Sequence, residues 1–498
     1  MHLIEKHHIE IQCSEKPFAH ILKDELSGVF EHELYPKLEQ LLDRYDVADR
    51  VWSIEHLSVD IPTISQKNWK EELIANTLFQ IEEFLKKQVS PASTEGSVGI
   101  ESQPGISKQD SLQELLLHYL KKGFLPTNAL MERLDELFQE VELDGSFWEQ
   151  MQSQIHKDTT AILRWTLNLP ESLKEQLYGV ISPVKTWNEV RTIIDNNLRT
   201  SGVQKTASTD KEYYGFLEFL YWLVLFQRDE LWLKEESTYD EILRHATSYF
   251  QLSPEHLIQI IDVWTASREP LELPVLSKVI IPLKKYIVEN DDILFSKQEE
   301  KEEKEQKDEI EAILEALQGN RESAPSKDLK ERANYIENAG LVLLHPFLKP
   351  LFQKLNYLDD SKWKSVKLQH RAVLLSQYMV NYDPKIFESQ LLLNKILCGV
   401  KPSDTVAVAW EITQEERNQC DGLLQSVIEH WAILKDTSVA TFQETFLVRN
   451  GKLLEYKEDT YELTVEQKGL DILLDHLPWG IGTIKTPWME HYLSCYWN

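Results

Sequence analysis

Apolar side chains recur along most of this chain with the period of a helix, and only stretches near its two ends alternate as strands do. In residues 2–13, Leu3, His7, Ile9, Ile11 and Cys13 fall on one side and Lys6, His8, Glu10 and Gln12 on the other, which predicts a half-buried strand. Ser14 can cap a helix whose Phe18, Leu22, Leu26, Phe30, Leu34 and Leu38 recur every fourth residue, with Pro36 placed to kink it at the preceding turn. Leu57, Val59 and Ile61 alternate with His56, Ser58 and Asp60 and predict a second strand, and Trp69 to Lys87 predicts another helix. Residues 1–88 are therefore expected to form a small β-α-β-α unit.

Residues 89–110 are rich in Ser, Gly and Pro without any apolar period, the composition of a flexible linker. From 111 to 293 helix follows helix, with stripes such as Leu112, Leu115, Leu116, Tyr119, Leu120 and then Trp148, Met151, Ile155, Ile162, Trp165. Short turns at Lys122-Gly123 and Asp144-Gly145 favour antiparallel neighbours in an irregular helical stack or bundle, and no fixed period marks a repeat family. Residues 294–330 read as a charged helical linker: 296–309 hold no apolar side chain, and Glu300 and Glu303 each precede a Lys by four positions, before Ile310, Ile313, Leu314 and Leu317 form a stripe. A rod inside an assembly is the alternative reading of that stretch.

Residues 331–498 are expected to form an α+β unit. Thr413 to Glu416 is a capping box that opens a helix striped by Leu423, Leu424, Val427, Ile428, Trp431 and Leu434. The period then changes to that of a strand, and Asn450-Gly451 is the pair that a type I′ hairpin turn favours. With Tyr461, Leu463 and Val465 as a further strand, the expectation is a β-hairpin or three-stranded meander, followed by a short helix in GLDILLDHLPWG. The fold class is thus mainly α, with a small α/β unit at one end and an α+β unit at the other.

Composition sharpens this picture. Against 53 Lys and Arg stand 82 Asp and Glu, a formal net charge of -29, which disfavours nucleic acid and anionic membrane surfaces as partners. The longest apolar run, Phe219 to Phe226, is far short of the roughly 20 residues that span a bilayer, so no stable membrane insertion is expected. The N-terminus lacks the basic and apolar regions of a secretory signal, and Cys13, Cys398, Cys420 and Cys495 are too scattered for a zinc or redox motif, so cytoplasmic synthesis with reduced thiols is expected.

Candidate chemistry is sparse. The glycine spacing of phosphate loops and dinucleotide fingerprints does not occur, G-x-S-x-G is missing, and His32-Glu33 fails as a zinc motif because Pro36 stands at its fifth position. Alternation sends His7 and His8 to opposite faces, and Asp471 and His476 are spaced to different helix faces. No catalytic residue, metal or cofactor is expected. What remains is a concentration of Trp and Pro near the C-terminus, at His430-Trp431, Pro478-Trp479-Gly480, Pro487-Trp488 and Trp497, which either closes a core or anchors a partner.

Several ordered segments carry a resemblance: AGLVLLHPFLKPLFQKL, HRAVLLSQY, LLLNKILCG, VIEHWAILKDTS, FLVRNGKL and VEQKGLDILLDHLPWGIGTIKTPWM. Together they resemble the C-terminal region of the tape measure proteins of bacterial contractile injection systems, phage-tail-like particles that drive a rigid tube through an envelope. HLIEKHHIEI and IEHLSVDIPTI resemble the start of the same family more weakly. The resemblance implies a structural protein that helps to set inner-tube length, made in the cytoplasm and then carried in or on the particle. Its implied partners are inner-tube, baseplate-hub or cap proteins, with self-association open as well. It singles out His345, Pro346 and Phe347; Asn394, Lys395, Cys398 and Gly399; His430 and Trp431; and Pro478, Trp479, Gly480, Pro487 and Trp488, without giving any of them a chemical role. A wholly helical chain of this length would span about 750 Å at about 1.5 Å per residue, whereas the turns, strands and Trp-rich stretches favour a compact body. A compact assembly adaptor or chaperone for tube, hub or cargo proteins is therefore the alternative to an extended ruler.

Overall fold

The computed structural model describes residues 2, 4, 7, 9–13, 16–46, 50–51, 54, 57–89, 106–126, 133–182, 184–200, 207–227, 235–266, 273–290, 332–455 and 460–497. They fall into two compact units, Met1–Glu114 with Asn128–Leu130, and Leu115–Thr127 with Met131–Asn498. The expected charged linker and most of the expected Ser/Gly/Pro linker lie outside the described residues.

In the first unit α1 (Lys16–Val29) passes through a widened π turn (Phe30–Leu34) into α2 (Tyr35–Asp43). Pro36 accounts for the widening, because it has no N–H to give residue 32 and its ring crowds that carbonyl. α3 (Trp69–Val89) packs beside them, and Leu22, Val29, Phe30, Leu34, Trp69 and Ile74 form the core. The expected strand pair is not seen among the described residues of 2–13 and 57–61. Instead β1 (Arg50–Val51) pairs antiparallel with β2 (Ile106–Ser107). Side chains take the place of a ladder: the Asp60 N–H donates to Gln80 Oε1 at 3.2 Å, Gln80 Nε2 donates back to the Asp60 carbonyl, and His7 packs on Phe30 with ring centroids 4.9 Å apart. Ile9 and Ile11 alternate as a strand would, yet both remain exposed.

The second unit begins with the latter part of α4 (Lys108–Lys122). It continues through α5 (Leu134–Glu140), α6 (Gly145–Ile155), α7 (Thr159–Asn168), α8 (Glu171–Ile181), α9 (Trp187–Thr200), α10 (Ala207–Phe226), α11 (Glu236–Phe250), α12 (Pro254–Ala266) and α13 (Pro274–Glu289). Asp144 and Asp158 cap α6 and α7 by accepting from Phe147 N at 2.8 Å and Ala161 N at 2.9 Å. The longest apolar run of the sequence is the end of α10, which lies inside the stack against α7, α9 and α13. Trp222 on it meets Trp187 at 4.8 Å and Trp165 at 5.3 Å, all three fully buried.

The same unit continues with β3 (Arg332–Ile336), a 3-10 turn (Ala339–Leu344), α14 (His345–Lys354), and a small hairpin of β4 (Leu358–Asp359) and β5 (Lys362–Trp363). After these come α15 (Val366–Asn381), the short α16 (Leu392–Leu397), α17 (Gln414–His430) and α18 (Val439–Phe442), which widens into a π turn (Gln443–Leu447). A sheet closes the fold from β6 (Gly451–Glu455), β7 (Tyr461–Val465), β8 (Thr483–Ile484) and β9 (Leu493–Tyr496), with a 3-10 helix over Gly469–His476 between β7 and β8. Its order is β3-β6-β7-β9-β8, antiparallel except for the parallel pair β7-β9.

The fold is mainly α, and the β6-β7 hairpin lies in the expected region. The turn at Asn450-Gly451 does not form. The residues before it are the π turn, and the strand beside β6 is β3, with the Arg449 N–H donating to the Glu337 carbonyl at 2.8 Å. Gly451 serves packing instead, because a Cβ there would lie 2.6 Å from that of Ala339.

Candidate functional site

The residues singled out on α16 lie deep in the second unit. Asn394 Nδ2 donates to Ser376 Oγ at 2.8 Å, while its Oδ1 accepts from Asn338 Nδ2 at 2.7 Å. Lys395, one position on, points the other way, and its ammonium donates to Glu388 Oε1 at 2.8 Å and to the carbonyls of Asp404 at 2.8 Å and Pro402 at 3.1 Å.

Glu388 is the node of a buried network that joins the helical stack to the C-terminal elements. Its Oε2 accepts from Arg164 Nε at 2.9 Å and Asn168 Nδ2 at 2.7 Å, both on α7, and Oε1 also accepts from Val406 N at 3.2 Å. Arg164 donates further to the carbonyls of Leu120 and, at 2.6 Å, Ser403. Asn168 pins the strap 402–408, donating to the Val406 carbonyl at 2.9 Å and accepting from Val408 N at 3.1 Å. Burial alone would raise the Glu388 carboxyl, but Arg164 and Lys395 outweigh it and hold it below the usual carboxylate range. Two cations share this one anion, and burial lowers the Lys395 ammonium. The left-handed Gly123 (φ 81°) closes over the site, where a Cβ would come within 3.1 Å of Arg164, Glu388 and Lys395.

Cys398 ends α16 fully buried, its thiol pushed up by burial. Gly399 follows at φ 67°, and a Cβ there would meet the Trp488 carbonyl oxygen at 2.2 Å. Trp488 returns to the same place: its Nε1 donates to the Leu397 carbonyl at 2.6 Å, and its ring lies 4.6 Å from that of Trp363. The neighbouring Pro487 is exposed. These contacts fasten the segment after β8 onto the end of α16.

The remaining singled-out residues form a second group. Trp431 is fully buried and packs on Phe446 at 4.8 Å. Phe347 bridges His430 at 5.7 Å and Trp479 at 5.1 Å, and His345 Nδ1 lies 2.9 Å from the Val342 carbonyl. Phe347, Trp479 and His345 are half-buried, whereas Pro346, His430, Pro478 and Gly480 are exposed. Beside them the 3-10 helix Gly469–His476 has no buried residue, and Ile472 is 71% and Leu470 55% exposed. Ile433, on the adjoining turn Ala432–Leu434, is 47% exposed. This helix packs Leu473 and Leu474 against the core and is fastened by charge as well. Asp471 accepts from Arg449 through both oxygens, from Lys468 N at 2.8 Å and from Trp497 Nε1 at 3.0 Å. Burial would raise that carboxyl, but these donors outweigh it and lower it.

Sequence reasoning passed over Arg164, Asn168, Glu388 and Arg449. Arg164 carried a readable signal, a charge flanked by Ile162, Leu163 and Trp165 in an apolar stripe. Glu388 carried none, because its partners Arg164 and Asn168 on the helical stack lie more than 200 positions away.

The polar interior is spent on joining elements, and an apolar face is left at the surface. Such an interior serves to hold the elements of the unit together, as in a structural protein. The family model for contractile injection system tape measure proteins matches residues 1–497, and the chain belongs to that family, a structural and assembly component of a contractile injection system. No curated protein and no solved structure shows a significant match. Among the described residues no helix is long and apolar enough to cross a membrane.

Proposed function

We propose that this protein serves the injection particle as a folded body, with residues 115–289 and 332–497 held together, and that it is incorporated by binding inner-tube, hub or cap proteins. The observation that carries this reading is the Glu388 node. Arg164 and Asn168 belong to the helical stack, Glu388 and Lys395 to the C-terminal elements, and the other three are drawn onto the one buried Glu388 carboxylate. Extending the stack along a tube would pull Arg164 and Asn168 off Glu388 and give up these bonds to the C-terminal elements. The family's length-setting role is then exercised by a folded protein at a defined place in assembly, and not by the contour length of these helices.

Electron microscopy of particles tests this. An insertion of about 28 helix-compatible residues at Lys304 adds about 42 Å of helix at about 1.5 Å per residue. Folded action predicts particles of unchanged length, and uniform lengthening close to the inserted span overturns it.

A further inference from the structure

The seam between the helical stack and the C-terminal elements holds a second cluster, built around Tyr249 near the end of α11. The Tyr249 hydroxyl donates across the seam to the Thr405 carbonyl at 2.9 Å, and Thr405 Oγ1 donates back to the Thr160 carbonyl at 3.1 Å. One histidine from each side lies against the Tyr249 ring: His245, a turn earlier on α11, at 5.6 Å between centroids, and His370 on α15 at 5.2 Å. Both are buried, with 3% and 8% exposure.

Hydrogen bonding fixes His245 as uncharged. Thr159 Oγ1 gives its one proton to Glu241 Oε2 at 2.8 Å, so His245 Nε2, 3.0 Å from the same oxygen, must donate to it. Nδ1 is left buried without a partner, and Phe219 packs on the ring at 5.6 Å. A second proton on Nδ1 would be a buried charge with no acceptor. Of the charges nearby, Arg244 repels a cation and Glu241 reaches the ring only through the Thr159 hydroxyl; burial and then Arg244 push this imidazole down to about 3. His370 faces Lys395, which repels a cation, and Glu388, which favours one, and burial with Lys395 prevails to bring it down to about 4. Its neighbours Lys367 and Arg371 are paired with Glu212 and Glu416, and the charges acting on Tyr249 between the two rings are Asp404, Glu388, Arg164 and Arg244.

We propose that this seam is an acid-sensitive joint: His245 and His370 must both stay uncharged for Tyr249 to hold Thr405, and opening of the seam takes up one proton on each. A histidine released to water titrates near 6.5. The closed joint is therefore at full strength above that value and weakens as the pH falls below it, because the open form binds more protons. Carboxylates titrate near 4 when free, so the two histidines govern the interval from pH 6 to 5. Over that one unit, two such groups raise the open fraction about 60-fold and one alone about eightfold. Mild acid thus loosens the hold of the helical stack on the strap 402–408 while the Glu388 carboxylate, held below its usual range, is still ionised.

Hydrogen exchange of the full chain tests the joint, read at the Val408 amide, whose N–H donates to Asn168 across the seam, and corrected for the intrinsic rate at each pH. Opening of the wild type is expected to rise about 60-fold from pH 6 to 5, that of H245Q and H370F about eightfold each, and that of H245Q/H370F to stay nearly constant. Gln at 245 can still donate to Thr159, and Phe at 370 keeps a ring against Tyr249. Each protein is compared with itself at two pH values, so a variant that is uniformly less stable still reports its own pH dependence, and circular dichroism shows that it is folded. Should one variant fail to fold, the other decides alone. A wild type whose opening rises about eightfold or less overturns the proposal. So does a folded single variant that keeps the pH dependence of the wild type.

Discussion

Single positions already show how tightly the C-terminal elements are bound to one another. At Gly399 the backbone is left-handed and the Trp488 carbonyl occupies the space of a side chain. G399A is therefore expected to lose about 2–4 kcal/mol, from the strained φ and the forced retreat of the Trp488 segment. Gly422 lies within α17 with nothing near its would-be Cβ, so G422A should gain roughly 0.5–1 kcal/mol. Denaturant unfolding checks both, and equal effects of the same sign would contradict the close approach at Gly399. At this scale the sequence is legible only in part. The family resemblance drew attention to Gly399 and Trp488, but their contact spans 89 positions, which no local pattern encodes. Arg164 betrayed itself as a charge within an apolar stripe, whereas Glu388, without which that charge would not be tolerated, looks like any loop glutamate.

Among the elements, α17 shows what a local signal can and cannot say. The capping box read from Thr413 and Glu416 is present, with Glu416 N donating to Thr413 Oγ1 at 3.2 Å and Thr413 N to Glu416 Oε2 at 2.7 Å. The same carboxylate also accepts from Tyr357 and, at 2.6 Å, from Arg371 NH2, joining α17 to α15 and to the hairpin entry. Burial would raise this carboxyl, but Arg371, Tyr357 and Thr413 together pull it down to about 2. An unfolded glutamate titrates near 4.3, so the contribution is fully present above about pH 5 and is lost as the pH falls towards 2. E416Q should be less stable than the wild type at pH 7 and show a flatter fall in stability from pH 5 to 2. Parallel pH profiles for the two proteins would refute this. Helices were legible because burial on one face imposes a period on the residues themselves. Strands were less so: alternation at Ile9 and Ile11 did not produce a strand, and β3, β8 and β9 are too short, or depend too much on distant partners, to leave a pattern.

For the molecule as a whole, the Glu388 node predicts that the helical stack and the C-terminal sheet unfold together. E388Q leaves Arg164 and Lys395 buried with a weakened partner and should cost about 3–5 kcal/mol. Native-state hydrogen exchange should show the slowest amides of α10 and of β6-β7 losing protection by similar amounts in this variant. Loss confined to one of the two sets would mean that they open independently. The sequence suggested separate helical and α+β stretches because their periods differ, and period carries no information about whether two stretches share an interior. The position of β9 has a consequence for synthesis. It lies between β7 and β8 in the sheet, and Trp497 just after it donates to the carboxylate that fastens the 3-10 helix. A nascent chain cannot complete this sheet until residue 497 has left the ribosome, and a product truncated before Leu493 would present the bare edge of β7 to its neighbours. The sheet thus depends on a strand laid down after most of its neighbours, and a chain ended before Leu493 is expected to aggregate or be proteolysed more readily than one that contains β9.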